Sequence, residues 1–348
     1  MCGIAGLLGA VPESFAERVR PAIAHRGPDD AGVWQEGTTC LVQTRLAILD
    51  LSPSGHQPMA SPCGRWQLVF NGEIYNHASL RQRLEAEGER FRGSGDTEVL
   101  LRWLTLRGRA GLSELRGMFA FCLVDTHAGR ALLARDPHGI KPLYYWRGPS
   151  GELAFASELR ALLASGRIPR RADSEAIADY LASGSVPEPR TLVAGVRRLE
   201  AGHWLEWKAG ELRIEPWWPL PESLLSAHPD SGFPADSRIE DREQAVRLTR
   251  TALADSVAAH MVSDVPVGLF LSAGLDSAAL LALAPAGLHT FTIGFDDPGS
   301  EGFDESEPAA RIAALFGADH TALTLRADQA RQWLPQFLAS QEIGRAHV

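Results

Sequence analysis

The chain has 348 residues, of which 45% are hydrophobic and 22% charged, with 33 Gly and 22 Pro. That composition is globular and lies outside the low-complexity range, and the length suggests roughly two domains, each able to bury a core. A formal charge of −9, with no Lys/Arg block, argues against a nucleic-acid partner, whose binding needs clustered cations, and favours small-molecule ligands. Cys2, Cys40, Cys63 and Cys122 form neither a CxxC pair nor a disulfide framework, so a reducing, cytoplasmic setting is expected. The N-terminus, MCGIAGLLGAVPESFAERVR, has no basic segment ahead of its apolar stretch, and no apolar run approaches the ~18 to 20 residues that span a bilayer. No membrane partner is expected.

In chain order, Cys40 to Ile48 and Trp66 to Phe70 read as strands. A helix is expected from about Ser79 to Glu87, with Leu80 and Leu84 four apart. A second begins after Asp96, where Val99, Leu100, Trp103 and Leu104 share a face. Met118 to Asp125 and Arg130 to Asp136 form a hairpin pattern, with Gly129 in the turn. From about Glu215 to Arg238 the sequence lapses into Pro, Ser, Asp and His, which places the domain boundary there. Beyond it Asp241 caps a helix carrying Val246, Leu253 and Val257, and Val265 to Leu271 reads as a buried strand. A tight turn, a helix from about Leu275, a strand at Thr290 to Phe295 and a helix over Pro308 to Phe316 follow. This alternation argues for a doubly wound parallel sheet.

Cys2 follows the initiator methionine. Removal of Met1 would leave a thiol and a free α-amine on one residue, and an amine titrating near ~7.7 to 8.0 can take the thiol proton. Position alone also suits an incidental buried cysteine. Further along stand HRGPDDAG (His25 to Gly32), TRLAILDL (Thr44 to Leu51), NGEIYNH (Asn71 to His77), GSGDTEVL (Gly93 to Leu100), RGMFAF (Arg116 to Phe121), RDPHGIKPLYY (Arg135 to Tyr145) and FASELRAL (Phe155 to Leu162). Together with MCGIAGL, and in family order, these closely resemble the glutaminase domain of the glutamine-hydrolysing asparagine synthetases, class II glutamine amidotransferases. The resemblance covers residues 2 to about 210 and implies an N-terminal-nucleophile fold of four layers, αββα.

The resemblance implies that Cys2 attacks the side-chain amide of glutamine, with the Asn71 side chain and the Gly72 backbone N–H as oxyanion donors. Read alone, Asn-Gly is a hairpin signal. Arg45 presents a planar fork suited to the glutamine α-carboxylate. Glu73 and Asp96 would receive its α-ammonium, and backbone groups of Leu46, Ala47, Ile48 and Leu49 would complete the pocket. Asp96 also suits the N-cap of a helix starting at Thr97. Arg26 belongs to a shaped loop in which it braces the turn, and the three other cysteines read as packing residues.

In the second half, Ser272-Ala273-Gly274-Leu275-Asp276-Ser277 joins a strand to a helix N-terminus, where converging N–H groups and the helix dipole favour an anion. The segment is similar to the SGGxDS pyrophosphate loop of the ATP pyrophosphatases, with Ala273 in place of the first glycine. The resemblance implies ATP as co-substrate, Mg²⁺ near Asp276, and Phe270 and Ile293 on the two sides of adenine. His320 carries no assigned role.

The expected organisation is therefore α/β, with an α+β glutaminase domain at 2–210, a linker at 211–238 and a partial doubly wound ATP-pyrophosphatase domain at 239–342. The ending IGRAHV at 343–348 reads as an artefactual tail of a truncated frame. The family implies that ammonia from glutamine amidates aspartate through β-aspartyl-AMP, giving asparagine, glutamate, AMP and diphosphate, and it admits a homodimer. This chain is expected to be competent in the glutaminase half only. Amidation of another carboxylate and a non-catalytic glutamine- or nucleotide-binding module stand as alternatives; an intact Cys2 argues against the second.

Overall fold

The structure is a computed structural model in which residues 1–10, 14–218, 239, 241–296 and 304–340 are described. They fall into two compact units, 1–218 and 239–340.

The first unit runs β1 (Gly3–Leu8), α1 (Phe15–Ile23), β2 (Asp30–Glu36), β3 (Thr39–Arg45), β4 (Met59–Ala60), β5 (Trp66–Ile74), α2 (His77–Ala86), α3 (Asp96–Arg107), β6 (Gly117–Asp125), β7 (Arg130–Arg135), β8 (Tyr144–Arg147), β9 (Leu153–Ala156), α4 (Leu159–Ala164), α5 (Ser174–Ser183), β10 (Val196–Arg198), β11 (His203–Lys208) and β12 (Glu211–Pro216). The strands make two six-stranded sheets, in the orders β10-β8-β9-β1-β3-β2 and β12-β11-β7-β6-β5-β4. Neighbouring strands are antiparallel, as where Ala5 of β1 faces both Val42 and Ala156.

Both faces of the inner strands are buried while the edge strands β2 and β12 are largely exposed, and the period of two along the strands sorts the side chains into layers. Ala5 and Leu7 of β1 pack with Phe15, Val19 and Ile23 of α1 and Leu162 of α4. Ile4, Leu8 and Leu41 point the other way, into a shared core with Val69 of β5 and Ala120 and Cys122 of β6. On the far face of the second sheet Phe70, Phe119 and Phe121 pack with Leu80 and Leu84 of α2 and Val99, Leu100 and Trp103 of α3. The order is helices, sheet, sheet, helices. This is the expected αββα unit.

Several expectations are corrected. β5 extends to Ile74, so Asn71 and Gly72 lie within the strand, paired with Ala120 and Phe119, and not in a hairpin turn or beyond the strand end. The first strand candidate stops at Arg45, leaving Leu46 to Ile48 in a loop. Asp96 is the first residue of α3 with Gly95 at the cap position, so it is not the N-cap. Residues 211–216 form β12, paired with β11, and so belong to the sheet and not to a linker. The remaining linker residues described, Trp217 and Trp218, hydrogen-bond back to the Gly202 carbonyl. Residues 219–238 and the tail at 343–348 lie outside the described residues. Cys40 and Cys122 are buried, whereas Cys63 is exposed, with its Sγ 3.3 Å from Ser61 Oγ, and is not a packing residue.

The second unit contains α6 (Arg242–His260), β13 (Gly268–Phe270), α7 (Leu275–Leu283), β14 (His289–Phe295), α8 (Ser306–Leu315), β15 (Asp319–Leu325) and α9 (Ala327–Ser340). Asp241 caps α6 through the amides of Glu243 and Gln244, both at 3.1 Å. The three strands are parallel in the order β13-β14-β15, with Phe270 opposite Phe291. β13 is shorter than expected and mostly exposed, not the buried strand the sequence suggests, with Leu271 just beyond it in the small core around Leu281, Leu288 and Ala309. Among the described residues, no helix is long and apolar enough to cross a membrane.

Candidate active site

Cys2 lies just ahead of β1, and the residue after it sets its position. A Cβ on Gly3 would stand 2.7 Å from Thr44 Oγ1 and 3.0 Å from the Ile23 Cβ, so glycine is what lets this end of β1 lie against β3 and α1. Continued back one residue, the strand alternation puts Cys2 on the inter-sheet face with Ile4; on β5 the same rule groups Asn71 with Val69. Both residues line one cavity of about 200 Å³, with Met1, Arg45, Leu46, Ile48, Leu49, Gly72, Glu73 and Asp96. Thus every glutamine-pocket residue expected from the sequence is brought together except Ala47, whose amide instead donates to Asp29 Oδ2 at 2.8 Å.

The Cys2 thiol contacts the Leu46 carbonyl at 3.6 Å, and burial pushes it above its ordinary value despite that contact. At neutral pH it is a thiol in need of a base. The α-amine of Met1, in the same cavity, is lowered by burial, which favours its neutral, proton-accepting form.

Arg45 is buried with its guanidinium wrapped by the chain that follows. Nη1 donates to the Ser52 carbonyl and Nη2 to that of Leu49, both at 3.2 Å, and Nη2 also donates to the Asp50 carbonyl. A Cβ on Gly55 would fall 1.9 Å from Nη2, so the wrap needs glycine there. Three of the five N–H groups are thus engaged, and two remain for a carboxylate.

Asn71 is fully buried, and neither its Oδ1 nor its Nδ2 has a partner. A buried amide left unpaired is costly, and such groups in folded proteins are almost always satisfied. Gly72 is required by close approach, since a Cβ there would be 2.1 Å from the Met118 carbonyl oxygen. Asp96 Oδ2 accepts from the Ile74 amide at 2.9 Å, and burial pushes its carboxyl up to about 6.

Sequence reasoning missed four further lining residues that bear on the chemistry: Gln57, Thr97, Met118 and Lys141. Gln57 Oε1 accepts from the Phe70 amide at 2.7 Å, tying the cavity floor to β5. Lys141 is buried, and burial lowers its ammonium while Glu73 opposes that. Its loop winds around Asp136, whose carboxylate accepts from the amides of His138, Ile140 and Lys141, each at 3.0 Å. The RDPHGIKP motif held that information, as an Arg-Asp pair ahead of a Gly-containing turn. Arg26 is a brace: its Nε donates to the Cys2 carbonyl at 2.9 Å.

In the second unit the phosphate-loop candidates are gathered at the N-terminus of α7. Ser272 and Ser277 hydroxyls are 2.9 Å apart, and Gly274 N donates to Ser272 Oγ at 3.1 Å. The Ala273 amide donates to Glu305 Oε2 at 3.2 Å. Asp276 and Leu275 are exposed on the first turn. Phe270 and Ile293, on neighbouring strands, are 79% and 51% exposed, so an apolar partner would cover them. His320 Nδ1 is 2.9 Å from Thr290 Oγ1, a structural contact between β14 and β15.

Residues 1–218 match the family model described as a glutamine amidotransferase domain, and residues 248–345 match the one described as asparagine synthase. Asparagine synthetase (glutamine-hydrolyzing) 1 of Bacillus subtilis is 34% identical over 348 residues, covering 97% of this chain and 52% of that protein. Asparagine synthetase (glutamine-hydrolyzing) 3 of the same organism is 33% identical over 313 residues, covering 85% and 48%. A solved Bacillus subtilis glutamine phosphoribosylpyrophosphate amidotransferase aligns over 92% of this chain and 65% of that one, with a TM-score of 0.49 and 18% identity. The chain belongs to the glutamine amidotransferase family. Within it, the arrangement is of the asparagine synthetase type, an amidotransferase domain followed by an asparagine synthase segment. The chain spans about half the length of the curated relatives it matches.

Proposed function

We propose that the first unit hydrolyses glutamine through Cys2. The observation that carries this reading is the Asn71 amide, fully buried without a partner in the cavity that Cys2 also lines. A substrate oxyanion would supply the missing acceptor. In this reading Arg45 receives the α-carboxylate of glutamine through an N–H that the loop leaves free, and Glu73 with Asp96 receives the α-ammonium, which fixes the side-chain amide against Sγ. Once Met1 is removed, the α-amine of Cys2 takes the thiol proton as sulfur bonds to the amide carbon. Asn71 Nδ2 and the Gly72 N–H donate to the resulting oxyanion. Collapse breaks the C–N bond, the amine returns the proton to the departing nitrogen as ammonia, and water then hydrolyses the thioester to glutamate.

In the second unit the reading extends to use of that ammonia in ATP-dependent amidation of aspartate through β-aspartyl-AMP, releasing AMP and diphosphate. The turn Ser272 to Ser277 would hold phosphates at the α7 N-terminus, with Phe270 and Ile293 flanking adenine. The exposed Asp276 carboxylate, at a turn that also carries two hydroxyls and the Glu305 carboxylate, suits Mg²⁺, which takes one or two carboxylates plus phosphate oxygens, and Asp276 would hold it. The ion would neutralise charge on the diphosphate leaving group. The 348-residue chain is read as competent in the glutaminase half.

Glutamate release from glutamine, measured on purified protein, tests the reading. Cys2→Ala should abolish it, and Asn71→Ala, which removes one oxyanion donor, should lower kcat about 10²- to 10³-fold. Full glutamate release by Cys2→Ala contradicts the mechanism.

A further inference from the structure

The FASEL segment contributes nothing to the cavity lining, yet it holds a buried carboxylate whose contacts lead to the Cys2 backbone. Glu158 is 4% exposed and follows β9. Its Oε1 accepts from Arg26 Nη1 at 2.8 Å and lies 2.9 Å from His25 Nε2, while Oε2 is 2.9 Å from Arg160 Nε. Arg26, also buried, turns its Nε to the Cys2 carbonyl at 2.9 Å. The adjacent Ser157 clamps β1 on the other side of Cys2, accepting from Ile4 N through Oγ at 3.0 Å and donating its own amide to the Ile4 carbonyl at 2.8 Å. Gly27 keeps Arg26 close, because a Cβ there would be 2.4 Å from the Arg45 amide nitrogen.

We propose that Glu158 is a positioning residue for Cys2: its carboxylate fixes the Arg26 guanidinium, which holds the Cys2 carbonyl and so sets the line of attack of Sγ. The proposal rests on the reading of Cys2 as nucleophile. Neither Glu158 nor Arg26 lines the cavity, so neither is in place to touch substrate. A role in stability is a poor explanation for the pair, since desolvating two charges largely cancels their attraction. Arg26 Nη2 is moreover buried without a partner, a cost that a purely stabilising arrangement would avoid. What the pair does supply is direction. A buried, planar guanidinium held at Nη1 by a carboxylate has little freedom to swing its Nε away from the Cys2 carbonyl. Misplacement of a reacting group by about 1 Å can cost about 10²-fold in rate.

Glu158→Gln keeps the shape and one acceptor while removing the charge. In the full chain it should lower glutaminase kcat about 10- to 100-fold with KM for glutamine within about threefold. Because Glu158 acts through Arg26, the combined Glu158→Gln/Arg26→Gln variant should be no slower than Arg26→Gln alone. Wild-type kcat in folded Glu158→Gln overturns the proposal, and so does a loss that multiplies in full onto that of Arg26→Gln. A parallel change in kcat and KM with a lowered Tm, the mark of a merely structural role, overturns it too. If Glu158→Gln does not fold, Arg26→Gln decides: reduced kcat at unchanged KM supports the proposal and unchanged kcat defeats it. Cys2→Ala runs beside these, and its retention of activity overturns the nucleophile reading instead.

Discussion

Asp96 joins burial, charge and function at a single residue. Its carboxyl, desolvated beside the Ile74 amide, is held at about 6, above the ~3.9 of a free aspartate. Above about pH 6 it is ionised and can receive an ammonium; below, it is neutral. The glutaminase kcat/KM, which reports the free enzyme, should therefore fall as pH drops below about 6, and Asp96→Asn should be low and flat over that range. The sign for stability is opposite. A carboxyl whose folded value is raised costs stability as pH rises through about 4 to about 6, so Asp96→Asn should be at least as stable as the parent at neutral pH in urea unfolding. At this scale Cys2, Arg45, Asn71 and Asp96 were legible because their motifs state both residue type and spacing. Glu158 was not, because its position depends on a contact over a long sequence separation, the pair with Arg26, and Lys141 stood in a motif whose turn around Asp136 gives no sign of the cavity.

At the scale of elements, the loop after β3 carries Leu46, Ile48 and Leu49, and Asp50 ties it to the start of α3. Asp50 Oδ2 accepts from Ser54 Oγ at 2.7 Å and from the amides of Ser94 and Gly95 at 2.9 and 3.3 Å. Burial alone would raise its carboxyl, but hydrogen bonds from Ser52, Ser54 and Ser94 outweigh that and hold it at about 2. Its stabilisation is present above about pH 4 and is lost as pH falls toward about 2. Asp50→Asn should destabilise the first unit by about 2 kcal/mol near neutrality, and the gap should narrow in acid urea titrations. It should also raise KM for glutamine, since the loop and Asp96 would no longer be held together. The hairpin β6-β7 was legible from Gly129, whose positive φ of 59° marks the turn, and α3 from its apolar face. By contrast α1, with Pro21 inside it, and the Asp173-capped α5 went unrecognised. The extension of β5 through Asn-Gly was hidden because pairing with β6 overrides the local turn preference.

For the whole molecule, the two units differ in how far they bury what they use. Among its described residues the first has three apolar cores around two sheets, and all residues lining the cavity at Cys2 lie within it. Among its described residues the second has one small core, and the proposed adenine-side residues Phe270 and Ile293 are exposed. Adenylation needs the aspartate carboxylate in line with the α-phosphate, a positioning effect that can reach ~7 to 11 kcal/mol. On the proposed reading the 348-residue chain supplied with ATP, Mg²⁺, aspartate and ammonia should therefore yield no asparagine or AMP, and should still release glutamate when given glutamine. AMP formation dependent on aspartate, and lost in Asp276→Ala, would show that the described second unit suffices. The αββα order was legible through family motifs, while the layer assignment of each side chain rests on strand alternation seen against the sheet order.

The central claim, that Cys2 is the nucleophile of a glutamine-shaped pocket, is tested most directly by peptide mapping after treatment with an electrophilic glutamine analogue bearing a diazoketone in place of the amide. The account predicts one adduct, on the Cys2 sulfur, suppressed by excess glutamine and strongly slowed in Arg45→Ala. An unmodified Cys2 in protein that still releases glutamate, or labelling of exposed Cys63 in its place, would contradict it.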